Sequence, residues 1–194
     1  VAEELGAELP YKPLAAHINN EVVPLDTPIT DPCDIRFVMI DTESGGRTYL
    51  RTLSLVLATA IHNVLPDYKL YIEHSIANGY YCSIVDGGTP QEDDIASIKE
   101  EMNRIIEADL PIKRIVLPVD EAVMLLRERG DADAATLIET SDMLYVPLHG
   151  IEGYFSPFYG SVAPSTGVLY LYDLIPHLDG FLLRVPDRDC PERL

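Results

Sequence analysis

KLYIEHSIANGYYCSIVDGG (residues 69–88), followed by TPQEDDIASIKEEMNRIIEADLP (residues 89–111), decides how this chain folds. Leu70-Tyr71-Ile72 is a short β-favouring run, and Tyr80, Tyr81, Ile84 and Val85 make a second. Asn78-Gly79 between them tolerates positive φ, so the two runs read as a hairpin. Asp86-Gly87-Gly88 breaks the second strand. Thr89 is then expected as an N-cap, with Pro90 where a missing N–H costs nothing and Glu92 closing a capping box. Ile95, Ile98, Met102, Ile105 and Ile106 recur at helical spacing on one face, and Leu110-Pro111 ends the helix. The expectation is a twisted sheet with this helix laid across it.

Upstream, a helix is expected from about Thr48 to Val64. Tyr49, Leu53, Val56, Leu57, Ala60, Ile61 and Val64 form its stripe, and Leu50 and Leu55 widen it. Pro66 stops it. Before it, Leu14 to Ile18, Val22-Val23 and Ile35 to Ile40 are strand candidates, the first two joined at Asn19-Asn20. DTESGG (residues 41–46) separates this β-rich portion from the rest and reads as the domain boundary, and residues 1–9 read as the last turns of a helix. Downstream, Ile115 to Leu117 is a strand, and Val119 to about Arg129 a helix closed by Gly130. Leu144 to Val146, Val168 to Leu174 and Phe181 to Val185 are further strand candidates. Tyr154 to Gly160 and Pro164 to Gly167 read as turn-rich loops.

The 32 acidic residues against 14 basic ones give a formal charge of −18. Such a surface repels phosphate backbones, which disfavours autonomous nucleic-acid binding. Apolar content of 47% is that of a globular protein, and no apolar run has the length of a membrane span. Three scattered cysteines (Cys33, Cys82, Cys190) show no CxxC spacing and fit a reducing compartment. With nothing resembling a signal peptide, a cytoplasmic location is expected.

The order of motifs resembles the N-terminal half of threonyl-tRNA synthetases, a TGS (β-grasp) domain followed by the editing domain. The carriers are NVLPD (63–67), Ile72-Glu73 with Asn78-Gly79-Tyr80-Tyr81, IKEEMNRII (98–106) with LPI after it, and GSVAPSTG (160–167) in place of that family's PNTG loop. A closer resemblance is to bacterial uridine kinase-like nucleoside kinases, in which this module precedes a P-loop kinase domain. It rests on IEHSIANGYYC (72–82), YGSVAPSTG (159–167) and GFLLRVP (180–186). The resemblance implies an α+β protein: a truncated TGS-like β-grasp subdomain over residues 1–43, then an editing-domain-like sheet-and-helix domain over residues 44–194.

In the synthetases, metal-ligand-type residues come as a His-x-x-x-His pair on the first helix and a Cys-x-x-x-His pair before the PNTG loop. Residues at i and i+4 share a helix face, which is why such spacing builds one site. Here the four positions fall on Arg51, Leu55, Phe158 and Val162. Leu, Phe and Val have no ligand atoms, and Arg is a permanent cation. The metal site is therefore expected to be degenerate, with no catalytic residue, cofactor or metal in the chain.

No glycine-rich stretch carries the Lys-Ser/Thr of a P-loop, so ATP and Mg are expected only in a kinase domain downstream in the same chain. The expected function is a non-catalytic accessory or regulatory module of such a kinase, whose parent reaction is nucleoside phosphorylation. The alternatives are a divergent aminoacyl-tRNA or amino-acid ester hydrolase and a small-ligand-sensing module. A candidate small-anion pocket is assembled from Arg51, His74, Tyr80, Tyr81, Cys82, Tyr159, Ser165 and Thr166, since guanidinium and hydroxyls together suit an anion or carboxylate. His74 and Cys82, flanking the central turn, read either as a base with its nucleophile or as an ordinary half-buried His and strand Cys. Tyr80, Tyr81, Tyr154, Phe155, Phe158 and Tyr159 read either as lining of a cleft for a base or sugar or as core, the commoner use of aromatic side chains. His62 is expected to face solvent or a partner. His17, His149 and His177 show no metal spacing, and the oligomeric state is left open.

Overall fold

The computed structural model describes residues 9–77, 79–86 and 88–194. The helical reading of residues 1–8 and the turn residues Asn78 and Gly87 lie outside the described residues. The described residues fold as a mixed α+β protein, as expected, and among them are three small antiparallel sheets and four α-helices.

The first sheet has the order β2-β1-β3, from β1 (Ala15–Ile18), β2 (Glu21–Val23) and β3 (Ile35–Val38). Asn19 and Asn20, both at positive φ, make the turn between β1 and β2. Leu14 and Ile40, flanking this sheet, are buried in the main core rather than in one of their own. So small a sheet has too little apolar surface to stand alone, and docking supplies the rest.

Helix α1 (Glu43–Val64) begins about five residues before the stripe that announces it. The DTESGG segment is its N-cap and first turn: Thr42 accepts from the Gly45 N–H at 3.0 Å. Two glycines mask this start in the sequence. The helix is buried on most sides, with Leu53, Leu55, Val56, Leu57 and Ala60 fully covered. Its buried Thr48, Thr52 and Thr59 donate to the carbonyls four residues back, so burial leaves no orphan hydroxyl.

The second sheet has the order β4-β5-β10-β9, from β4 (Lys69–Ile76), β5 (Gly79–Val85), β9 (Asp173–His177) and β10 (Gly180–Arg184). Cys82, Ile84, Leu174, Phe181 and Leu183 point inward and meet α1 and α2 (Glu92–Glu107) in one core. The expected helix across a sheet is this layer. Its cap differs from the expected one: α2 starts after Gln91, whose N–H donates to Asp94 at 2.8 Å, two residues beyond the Thr89–Glu92 box.

The third sheet, β6-β7-β8, is built from β6 (Lys113–Pro118), β7 (Tyr145–Ile151) and β8 (Tyr154–Pro157). It carries α3 (Val119–Glu128) and α4 (Ala132–Glu139) over a separate small core of Ala122, Leu126, Ala135, Ile138, Val146 and Leu148. Gly130 closes α3 at φ +84, as its C′ position requires. The stripe of α4 is too short to announce itself in the sequence. Val168 to Leu174 is not one strand: a 3₁₀ turn (Thr166–Val168) precedes β9, which starts only at Asp173. Tyr154 to Pro157, read as loop, is the edge strand β8.

Candidate functional site

Helix α1 and the loop from Tyr159 to Val168 are stitched together. Thr52 accepts from the Ala163 N–H at 2.9 Å, and Arg51 donates from Nη1 to the Ser161 carbonyl at 3.3 Å. Gly160, at φ +103, lets the Arg51 guanidinium lie on the backbone: a Cβ there would be 2.8 Å from Cζ. Burial, then the nearby Arg47 guanidinium, lowers the pKa of Arg51. It has no carboxylate partner within ion-pair distance among the described residues.

The other three ligand-type positions are hydrocarbon in a packed interior. Leu55 is fully buried, Val162 is 5% exposed, and Phe158 packs against the main core. This donor set does not fit a zinc ion. Among the described residues no group of three or more His, Cys, Asp or Glu side chains is placed to hold a metal.

Ser165 and Thr166 serve the end of α2. Thr166, fully buried, donates to the Ile105 carbonyl at 2.7 Å and accepts from the Leu110 N–H at 2.8 Å. The Ser165 hydroxyl and the Gly167 N–H both donate to Asp109, holding its carboxyl below the usual carboxylate range. Both hydroxyls are thus committed to the α2 terminus.

The hairpin residues divide between two sheet faces. Cys82 is fully buried with its thiol towards the Tyr80 carbonyl, and burial pushes its pKa up to about 12. Tyr80 shares that inner face by strand alternation. Tyr81 points the other way, its ring 5.6 Å from His74 and 5.9 Å from His177. A sheet therefore separates His74 from Cys82, and they form no nucleophile–base pair. Tyr159 is exposed on the surface. The eight residues grouped from the sequence do not share one pocket, because alternation and the α2 terminus claim most of them.

The structure instead opens a cleft of about 290 Å³ between α1, β4 and β8. His62, Lys69, Arg129, Asp131 and Tyr154 line it, with Phe158 at one wall. The His62 ring lies 5.1 Å from that of Tyr154, and the Arg129 guanidinium stacks 4.2 Å over the same ring. Arg129 also donates to the Phe155 carbonyl and, at 2.9 Å, to Asp131. Tyr154 and Phe158 do line a cleft, Phe155 packs on the small core of the third sheet, and Arg129 and Asp131 join the cleft without a site-like sequence pattern. Their only signal was Arg-Gly-Asp at the end of a helix, which reads as a cap.

A separate feature of the third sheet is His149, 4% exposed, whose Nδ1 has no hydrogen-bond partner among the described residues. Its cross-strand neighbours are Arg114 and Ser156. Burial first, then the Arg114 charge, lowers its pKa, while Asp26 opposes them. The folded chain then binds fewer protons than the unfolded one near the ordinary histidine range. Stability from this group is fully present above about pH 6.5 and is lost as pH falls through the depressed folded value. In paired denaturations from pH 7.5 to 5, His149→Phe should lose less stability than wild type on acidification. Parallel curves would show that His149 does not carry the effect.

A mixed α+β module of three small antiparallel sheets, with Leu55 and Val162 in its buried interior, is the class that the described residues define. The comparisons agree with the fold. No protein-family model matches the chain. It is 35% identical over 138 residues to the threonine–tRNA ligase of Acetivibrio thermocellus, covering 71% of this chain and 22% of that protein. The Clostridioides difficile enzyme is also 35% identical over 138 residues, with the same coverage. That of Carboxydothermus hydrogenoformans is 26% identical over 176 residues, or 90% of this chain and 28% of the ligase. The chain thus spans roughly a quarter of the length of these relatives. It is homologous to the N-terminal region of threonyl-tRNA synthetases. No helix among the described residues is long and apolar enough to cross a membrane.

Proposed function

We propose that this chain is a non-catalytic accessory module, derived from a synthetase editing domain and attached to a uridine kinase-like nucleoside kinase. The observation that carries the non-catalytic reading is the fate of the four ligand-type positions. Leu55, Phe158 and Val162 are packed hydrocarbon, and Arg51 is bound to the Ser161 carbonyl. Leu, Phe and Val carry no donor atom, so no rearrangement of these three side chains makes them ligands. The kinase attachment rests on the resemblance carried by residues 72–82, 159–167 and 180–186. Residues 72–82 and 180–186 meet in the β5–β10 pairing, where Tyr81 faces Leu182. In this reading residues 1–43 are the TGS-like part and residues 44–194 the editing-like part, and ATP and Mg belong to the kinase domain.

The second reading, a divergent hydrolase of aminoacyl-tRNA, is favoured by the homology to threonine–tRNA ligases and by the polar cleft of His62, Arg129 and Asp131. Assays of the isolated chain separate the two. The accessory-module reading expects less than about 0.1 zinc per chain by elemental analysis. It also expects no deacylation of seryl- or threonyl-tRNA above the spontaneous rate. Deacylation abolished by Arg129→Ala would overturn it. ATP-dependent phosphorylation of uridine should appear only in the longer protein that carries a P-loop.

A further inference from the structure

A second cavity, of about 310 Å³, lies at the seam between the N-terminal segment, α1 and the C-terminal tail. Tyr11, Tyr49 and Tyr170 wall it, and Glu192 stands at its rim. The Tyr49 ring is the floor. Its hydroxyl donates to the Leu171 carbonyl at 2.9 Å and accepts from the Tyr170 and Leu171 N–H groups at 3.0 Å each. With its polar atom fully used and 1% of its surface exposed, Tyr49 closes the base of the cavity, and Tyr11 and Tyr170 are its more exposed rings. Tyr170 stands edge-on to it, centroids 5.8 Å apart, and donates its hydroxyl to the Pro191 carbonyl at 3.0 Å. Tyr11 donates to Glu192 Oε1 at 2.9 Å, which fixes the carboxylate and leaves Oε2 free of hydrogen-bond partners among the described residues.

The lining carries one carboxylate, Glu192, and one ammonium, Lys12, and Asp41 acts on Tyr170 from outside it. The Tyr170 phenol is pushed up to about 12, by burial first and then by Tyr49, Glu192, Tyr11 and Asp41. Neither Glu192 nor Asp41 has an ion-pair partner among the described residues. Lys12 also lines the cavity: it donates to the Gly167 carbonyl at 3.0 Å, a bond within the lining, and its charge acts on Asp109. Aromatic faces with a fixed carboxylate at the edge attract cations, through the ring quadrupole and through direct charge. The net charge of −18 adds a field that concentrates cations at the surface.

We propose that this cavity binds an organic cation, a guanidinium or ammonium group seated on the tyrosine rings with its charge against Glu192. The site is independent of the accessory-module reading, since none of its residues belongs to the degenerate ligand positions or to the His62–Arg129 cleft. Agmatine, a guanidinium without a carboxylate, is the probe, titrated calorimetrically at low ionic strength. Saturable 1:1 binding is expected, weakened about tenfold or more by Glu192→Gln and by Tyr170→Leu. Glu192→Gln keeps an acceptor for Tyr11, so the fold should survive it. Glu128→Gln, on α3 outside the cavity, removes the same charge from the molecule and should leave affinity unchanged.

No saturation by about 50 mM agmatine would overturn the proposal. So would equal weakening by Glu192→Gln and Glu128→Gln, which would mark a diffuse field rather than a site. Should Tyr170→Leu unfold the chain, ring-proton shifts of Tyr49 and Tyr170 on titrating wild type give the answer, and their absence counts against the cavity. Tighter binding of N-acetylarginine amide than of agmatine would assign the site to a polypeptide side chain, and the reverse order to a small amine.

Discussion

Thr166→Val is expected to lower stability by about 3 kcal/mol, measured as a shift of the urea midpoint at unchanged slope. The substitution is nearly isosteric, so packing changes little. What it removes is a hydroxyl that ends α2. The Asp109 N–H donates to the Ile106 carbonyl, and the Ile105 carbonyl is left to the Thr166 hydroxyl. The same oxygen accepts from Leu110, so valine strands one half-buried donor and one buried acceptor. Thr166→Ser keeps both bonds and should cost no more than about 1 kcal/mol, the loss of one methyl. A valine variant within about 0.5 kcal/mol of wild type would mean that water or a shifted loop replaces the hydroxyl. The residue that looks like part of a binding loop would then be dispensable to the fold.

Neighbouring glycines in the first turn of α1 should respond to alanine with opposite signs. Gly46 has nothing within 4 Å of where a Cβ would stand, so Gly46→Ala should gain about 0.5–1 kcal/mol from helix propensity and reduced unfolded-state entropy. A Cβ on Gly45 would overlap the Met39 backbone carbonyl, which cannot rotate away as a side chain would. That carbonyl also accepts from the Thr42 N–H and hydroxyl, so displacing it disturbs the N-cap itself. Gly45→Ala should therefore cost about 3 kcal/mol and loosen the contact between the β2-β1-β3 sheet and α1. Equal effects at the two positions would show that the close approach of Met39 is not a real constraint.

Wherever the apolar period was long, the local pattern was readable. The α2 stripe of Ile95, Ile98, Met102 and Ile105 is the buried face of that helix. The β4–β5 hairpin follows from two β-favouring runs around a turn. Short or interrupted signals failed: α4 spans 8 residues, and the first turn of α1 hides behind Gly45-Gly46. That Leu55, Phe158 and Val162 lack donor atoms was equally legible, because it holds whatever their surroundings.

The grouping of site residues was a tertiary matter. From the sequence, His74 and Cys82 flank one turn, yet strand alternation sends them to opposite faces. Ser165 and Thr166 offer free hydroxyls until the end of α2, some 60 residues earlier in the chain, claims them. Arg129 becomes part of a cleft only when β8 brings Tyr154 beneath it, and Glu192 reaches Tyr11 across 181 residues. Residue identity fixes which bonds a side chain is able to make. Which partner it finds depends on contacts between distant segments, where a buried polar group takes the nearest donor or acceptor because leaving it unpaired costs more.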